Sequence, residues 1–79
     1  MRVEVRERLD EIAEVTAARL VEALQKHTIE RVDIVVIKRE LRLHSKFPKD
    51  FNEREYLEDK TTRRVVEMVD SPPLSKVHY

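Results

Sequence analysis

Residues 32–43 read VDIVVIKRELRL, and the conformation of these twelve residues determines which class of fold the chain adopts. The first half, VDIVVI, is rich in valine and isoleucine, and the second half, KRELRL, places leucines among charged residues. β-Branched residues favour strands, and the side chains of a strand point alternately to its two faces. We therefore predict a long strand over 32–43, buried on both faces in its first half and on one face in its second.

A helical interpretation of the same residues competes with the strand. Ile34, Ile37 and Leu41 are spaced three and four residues apart, as they would be on one face of a helix. The chain would then form a three-helix or helix-turn-helix protein. We favour the strand because so short a run cannot be assigned from periodicity alone and its residues have strong β preference.

Residues 3–27 have the pattern of an amphipathic helix. At 100° per residue, charged side chains fall on one side and a mostly apolar stripe on the other. The stripe contains Val5, Leu9, Ile12, Ala13, Thr16, Leu20 and Leu24, flanked by Ala17 and Val21. His27 follows at the helix end, where we expect it to cap the last carbonyls rather than act as a catalytic base, since no serine or cysteine nucleophile site is recognisable around it.

A second helix is predicted after the loop HSKFPKD, residues 44–50. Asn52 is the expected N-cap, with Glu55 completing a capping box and Phe51 packing on Tyr56 as a hydrophobic staple. Its inner face would consist of Leu57, Thr61, Val65 and Met68.

Residues 61–69, TTRRVVEMV, leave an alternative open, because threonine and valine also favour a strand. We favour a continuing helix, with a second strand opposite 32–43 as the alternative. The sequence therefore predicts an α/β fold of the α+β kind, with the order helix, strand, helix. One domain covers 1–70, and a proline-containing tail covers 71–79.

Composition excludes several classes of function. The chain has 79 residues with 16 basic and 16 acidic side chains, a balance that argues against a general electrostatic grip on nucleic acid or an anionic membrane. It has no glycine for a phosphate-binding loop, no cysteine and three scattered histidines. We expect no enzyme, cofactor or metal, and a soluble cytoplasmic protein without a membrane span. Abundant Glu, Arg and Val with few amides fits a thermophilic source.

The favoured function is that of a structural or adaptor subunit in a homo-oligomer or a larger assembly, such as a virion or a multi-protein complex. A long strand leaves backbone groups unpaired along its edges, so a second copy or another protein should match them. The expected interface residues are Val32, Ile34, Val35, Val36, Ile37, Leu74 and Tyr79.

The alternative function is a small nucleic-acid-binding or transcription-regulating module. Residues 32–49 contain five basic side chains against Asp33 and Glu40, a net charge of +3. With His44 and Phe47 among them, this surface could follow a phosphate backbone and stack one base. A solvated element balanced by the acidic start of the next helix is the plainer interpretation. The candidate contact residues are Lys38, Arg39, Arg42, Lys46 and Lys49.

Overall fold

The structure, a computed structural model, describes residues 1–70, and its regular elements are three α-helices. Helix α1 spans Val3–Gln25, α2 spans Ile34–Arg42 and α3 spans Phe51–Asp70. No strand occurs among residues 1–70. The predicted α/β class is therefore wrong, both for the strand at 32–43 and for the alternative strand at 61–69. The three-helix interpretation of the sequence is the one that the described domain adopts.

Helix α2 forms because a cap and a buried face outweigh the β preference of its residues. The Asp33 side chain caps the helix, since Oδ1 accepts a hydrogen bond of 3.0 Å from the Val36 N–H. Ile37 and Leu41 lie on the inner face and are 2% and 0% exposed. A strand over these residues would need cover on two apolar faces, whereas the helix has only one such face to bury.

Helix α1 confirms the amphipathic pattern of the sequence. It begins at residue 3 as expected and ends at residue 25, two residues before the predicted end. Its buried residues all belong to the predicted stripe or its flanks: Leu9, Ile12, Ala13, Thr16, Ala17, Leu20 and Val21.

The end of α1 is a Schellman motif made without glycine. His27 has φ 61°, the left-handed conformation that glycine usually supplies at this position. Its N–H donates to the Leu24 carbonyl at 3.2 Å, and the Thr28 N–H donates to the Ala23 carbonyl at 2.9 Å. His27 thus caps the helix through its backbone, at the cost of a strained conformation.

Helix α3 begins one residue before the predicted cap. The Glu53 N–H donates to Asp50 Oδ2 at 3.1 Å and the Arg54 N–H to the Asp50 carbonyl at 3.0 Å, so Asp50 is the N-cap. The assignment of Asn52 as the cap is wrong. Phe51 is 70% exposed, so it is not the buried staple that the sequence suggested. The helix that continues through 61–69 is confirmed, and its inner face buries the expected Leu57, Thr61 and Val65.

Helices α1 and α3 lie side by side and run parallel. Tyr56 Oη donates to Asp10 Oδ1 at 2.6 Å, and farther along both helices Arg64 Nε donates to Glu14 Oε1 at 2.7 Å. The first bond, together with partial burial, raises the pKa of the Tyr56 phenol. Because the two long helices are parallel, the chain must return between them, and α2 lies on this return path in contact with both.

Two apolar clusters form the core. The larger cluster joins all three helices through Leu9, Ile12, Ala13, Leu20, Ile37, Leu41 and Leu57. The smaller cluster consists of Ala17, Val21 and Val65. The half-buried Val32, just before α2, packs against both clusters and so ties the start of α2 to the end of the long pair.

We expect Asp50→Ala to destabilise the protein by about 1 kcal/mol, because it removes the side-chain acceptor at the start of α3. The matched control is Asn52→Ala, which should change stability by only a few tenths of a kcal/mol, as usual for an exposed site. Urea denaturation measures both. A larger loss of stability in Asn52→Ala than in Asp50→Ala would show that Asn52 is the N-cap of α3.

We expect His27→Gly to stabilise the protein by about 0.5–1 kcal/mol, because glycine adopts positive φ without a steric penalty. His27→Ala is the control: it removes the imidazole, keeps Cβ and should bring no such gain. Thermal unfolding followed by circular dichroism distinguishes them. Destabilisation by glycine would contradict the left-handed conformation of residue 27.

Candidate functional site

The outer face of α2 combines basic and apolar side chains. Lys38 and Arg39 lie three and four residues after Val35, and Arg42 lies four and three residues after them, which places all four on one face of the helix. All four are exposed, and Val35 has 64% of its surface in solvent. Since α2 buries its opposite face against both long helices, this outer face forms a ridge on the molecule.

The ridge continues into the loop that follows it. Lys46 and Lys49 are exposed in the segment between α2 and α3. We call the following five residues the basic surface: Lys38, Arg39, Arg42, Lys46 and Lys49. Among residues 1–70, no ion pair involves any of the five.

The two acidic residues of this segment are paired with arginines that lie outside it. Glu40 Oε2 is 3.5 Å from Arg19 Nη1 of α1, and Asp33 Oδ2 is 3.5 Å from Arg31 Nε. The Asp33 carboxylate is also engaged as the cap of α2. Such solvent-exposed pairs add little stability, but they neutralise the acids locally. The basic surface therefore keeps its full charge of five cations.

A shallow cleft at the end of α2 extends the site onto α1. Its lining residues are Arg8, Glu11, Ile12, Val15, His44 and Lys46. His44 Nδ1 accepts a hydrogen bond of 3.2 Å from the Lys46 N–H, which fixes the imidazole beside the loop. The cleft brings Arg8 next to the basic surface, together with the acidic Glu11.

Phe47, which the sequence suggested as a platform for a nucleobase, is engaged inside the protein. It is half-buried and packs against the larger core cluster. The Arg54 guanidinium lies over its ring, 5.3 Å from the centroid, and Arg54 Nε donates to the Pro48 carbonyl at 2.9 Å. One ring face is thus covered by Arg54 and the side chain is anchored in the core, so base stacking on Phe47 is not supported.

The residues expected at a protein interface are separated by the fold. Ile34 and Val35 are exposed, Val32 and Val36 are half-buried, and Ile37 belongs to the core. The remaining two expected interface residues, Leu74 and Tyr79, lie outside the described residues.

A second surface, which we call the apolar groove, lies where the ends of α1 and α3 meet the segment before α2. Its apolar lining consists of Leu24, Val32, Val65, Val66 and Val69, with Glu30 and Arg31 beside them. Val66 and Val69 lie in the last two turns of α3 and are 51% and 45% exposed. Of the expected interface residues, Val32 lies here.

Two features of the site could not be recognised in the sequence. Arg19 and Arg31 neutralise the acids of the segment, but nothing in the sequence pairs Arg19 with a residue 21 positions later. Arg8 joins the site only because α1 packs beside the loop. The exposure of Val35 would have followed from a helical assignment of α2.

Metal-ligand clusters and membrane-crossing helices are both absent from the part of the chain that the structure describes. Over residues 1–70, no three His, Asp or Glu side chains are grouped as metal ligands would be. None of the three helices is both long enough and apolar enough to cross a membrane.

Comparison with protein-family models, with characterised proteins and with solved structures finds no match for this chain.

Proposed function

We propose that the protein binds nucleic acid through the basic surface, and that it acts by binding rather than by catalysis. The observation that supports this proposal is the charge of the site. Five exposed cations follow one helix face and the loop after it, while both acids of the same segment are paired with Arg19 and Arg31. A polyanion gains affinity from each such cation because every phosphate contact releases condensed counterions.

The neutral charge of the whole chain is compatible with this function because the charges are segregated. Residues 50–70 contain seven acidic and four basic side chains, a net charge of −3. An acidic α3 repels a phosphate backbone, whereas the ridge of α2 attracts it, so the molecule would approach nucleic acid in one orientation. We place this role in the cytoplasm, as a small nucleic-acid-binding or transcription-regulating module.

Affinity for nucleic acid should depend steeply on salt. With three to five phosphate contacts, we expect log K to fall against log salt with a slope of about −3 to −4.5 on duplex DNA between ~50 and ~200 mM KCl. Arg42→Glu should weaken binding to every sequence and make the slope shallower by at least about one. Fluorescence anisotropy with labelled 25-nucleotide single strands and duplexes measures both effects.

The matched control reverses a charge elsewhere. Arg63→Glu alters an exposed arginine of α3 that pairs with Asp59 at 3.1 Å, and we expect it to leave the affinity within about twofold. No binding of any single strand or duplex at ~50 mM salt would refute the proposed function. Equal losses from Arg42→Glu and Arg63→Glu would show that the basic surface is not the site.

A second candidate function is self-assembly through the apolar groove. The sequence predicted self-assembly through unpaired strand edges. No such edges occur in residues 1–70, because the backbone groups of each helix form hydrogen bonds within that helix. The groove supports the proposal instead, because half-exposed valines sit beside one acid and one base, Glu30 and Arg31. Two copies related by a two-fold axis can place these opposite charges across the interface while covering the valines.

Val66→Lys should dissociate such a dimer without unfolding the chain, because Val66 is already half in solvent. Val15→Lys is the control: Val15 is similarly exposed but lies outside the groove. Sedimentation at micromolar concentration should give a dimer for the wild type and for Val15→Lys, and a monomer for Val66→Lys. A wild-type monomer would rule out assembly by this route.

A further inference from the structure

We propose that α2 enters the major groove of duplex DNA, with its outer face toward the base edges and the loop lysines on the flanking phosphates. This inference rests on the proposed function and specifies the ligand and its orientation. It concerns Val35, Lys38 and Arg39 as the residues that face the bases. Arg42, the last residue of α2, is assigned to the phosphate backbone together with Lys46 and Lys49.

The shape of α2 fits this role. Nine residues make a helix about 13.5 Å long, and a helix with its side chains is about 10–12 Å wide. The major groove of B-form DNA is about 12 Å wide and admits one helix. Burial of Ile37 and Leu41 against the long helices turns the opposite side of α2 outward as the ridge.

The side chains on the ridge suit base edges as well as phosphates. Arginine and lysine donate hydrogen bonds to the guanine O6 and N7 acceptors, and an apolar side chain such as Val35 can contact the thymine methyl group. The one acid of α2, Glu40, lies off this stripe and is paired with Arg19. Attraction to phosphate gives no role to the exposed Val35, which lies among the cations. The major groove of DNA carries the thymine methyl groups, which an apolar side chain can contact.

The described aromatic residues argue against a single strand as the preferred ligand. Single-strand binding proteins stack bases on aromatic side chains. Phe47 lies under Arg54, and the Tyr56 hydroxyl is bonded to Asp10. Phe51 is exposed at the start of α3, and the variant Phe51→Ala tests whether its ring stacks on a base. Duplex RNA is excluded by shape, because its major groove is too deep and narrow for side chains to read.

The loop after α2 provides the backbone contacts. Lys46 and Lys49 follow α2 in the chain and are exposed, and Arg8 of α1 lies beside Lys46 in the cleft. Cations at one end of an inserted helix can reach the phosphates along the groove and fix its register without reading sequence.

Blocking the major groove tests this orientation. The probes are a 25-base-pair duplex with ordinary cytosine and the same duplex with glucosylated 5-hydroxymethylcytosine, whose sugars fill the major groove. We expect the wild-type protein to bind the modified duplex about tenfold more weakly or worse, which is the loss of one good base contact. Netropsin, which occupies the minor groove, should leave the affinity for ordinary DNA unchanged.

Three variants test which residues contact the bases and which contact the phosphates. Val35→Asp should abolish the preference for ordinary over modified DNA, and it keeps α2 because an acid in the first turn suits the helix dipole. Lys49→Gln should weaken both duplexes equally, as expected for a phosphate contact. Phe51→Ala should leave duplex binding unchanged. Circular dichroism verifies that each variant is folded.

Each contrary result has one meaning. Equal affinity for the two duplexes would overturn the major-groove orientation while the proposed function stands. Displacement by netropsin would indicate the minor groove instead. Tighter binding to single strands that is lost in Phe51→Ala would replace duplex DNA by a single strand as the ligand. No binding to any nucleic acid would overturn this inference together with the proposed function.

Discussion

The burial of Ile37 and Leu41 between the two long helices is the interaction on which the rest of the structure depends. It sets the rotation of α2 about its own axis, because a helix with only two fully buried residues has one orientation that covers both. It also brings α2 onto the pair formed by α1 and α3, where Ile37 and Leu41 join Leu9, Ile12 and Leu57 in one apolar cluster. The outward direction of the basic residues follows from that same rotation.

The charge distribution depends equally on the partners of the acidic side chains. Glu40 forms an ion pair with Arg19 of α1, and the Asp33 carboxylate accepts a hydrogen bond from the Val36 N–H at the start of α2. Contacts between α1 and α3 engage further acids, among them Asp10 and Glu14. A chain with no net charge thereby presents one face where positive charge is uncompensated, which composition alone would not reveal.

The long helices could be predicted from the sequence because their patterns extend over many turns. The stripe of α1 has enough members to define a period, and so has the inner face of α3 with Leu57, Thr61 and Val65. For α2 the period could not decide, because nine residues offer only two or three inward positions. Two contributions decided the conformation: tertiary cover from two helices at once, and the local cap by Asp33, whose value depends on the helix that it starts. The five basic residues could be identified from the sequence. The ion pairs that engage Asp33 and Glu40 could be seen only in the folded structure.

The parallel arrangement of α1 and α3 has a consequence for how the chain folds. Their hydrogen bonds join residues 46 and 50 positions apart, a long separation for a domain of this size. Closing such long loops costs entropy before the contacts repay it, so folding should be slower than in a helical protein that pairs neighbouring helices. During synthesis, Leu9, Ile12 and Leu20 would have only the short α2 to cover them until α3 emerges, an interval in which the chain is open to chaperones or to aggregation.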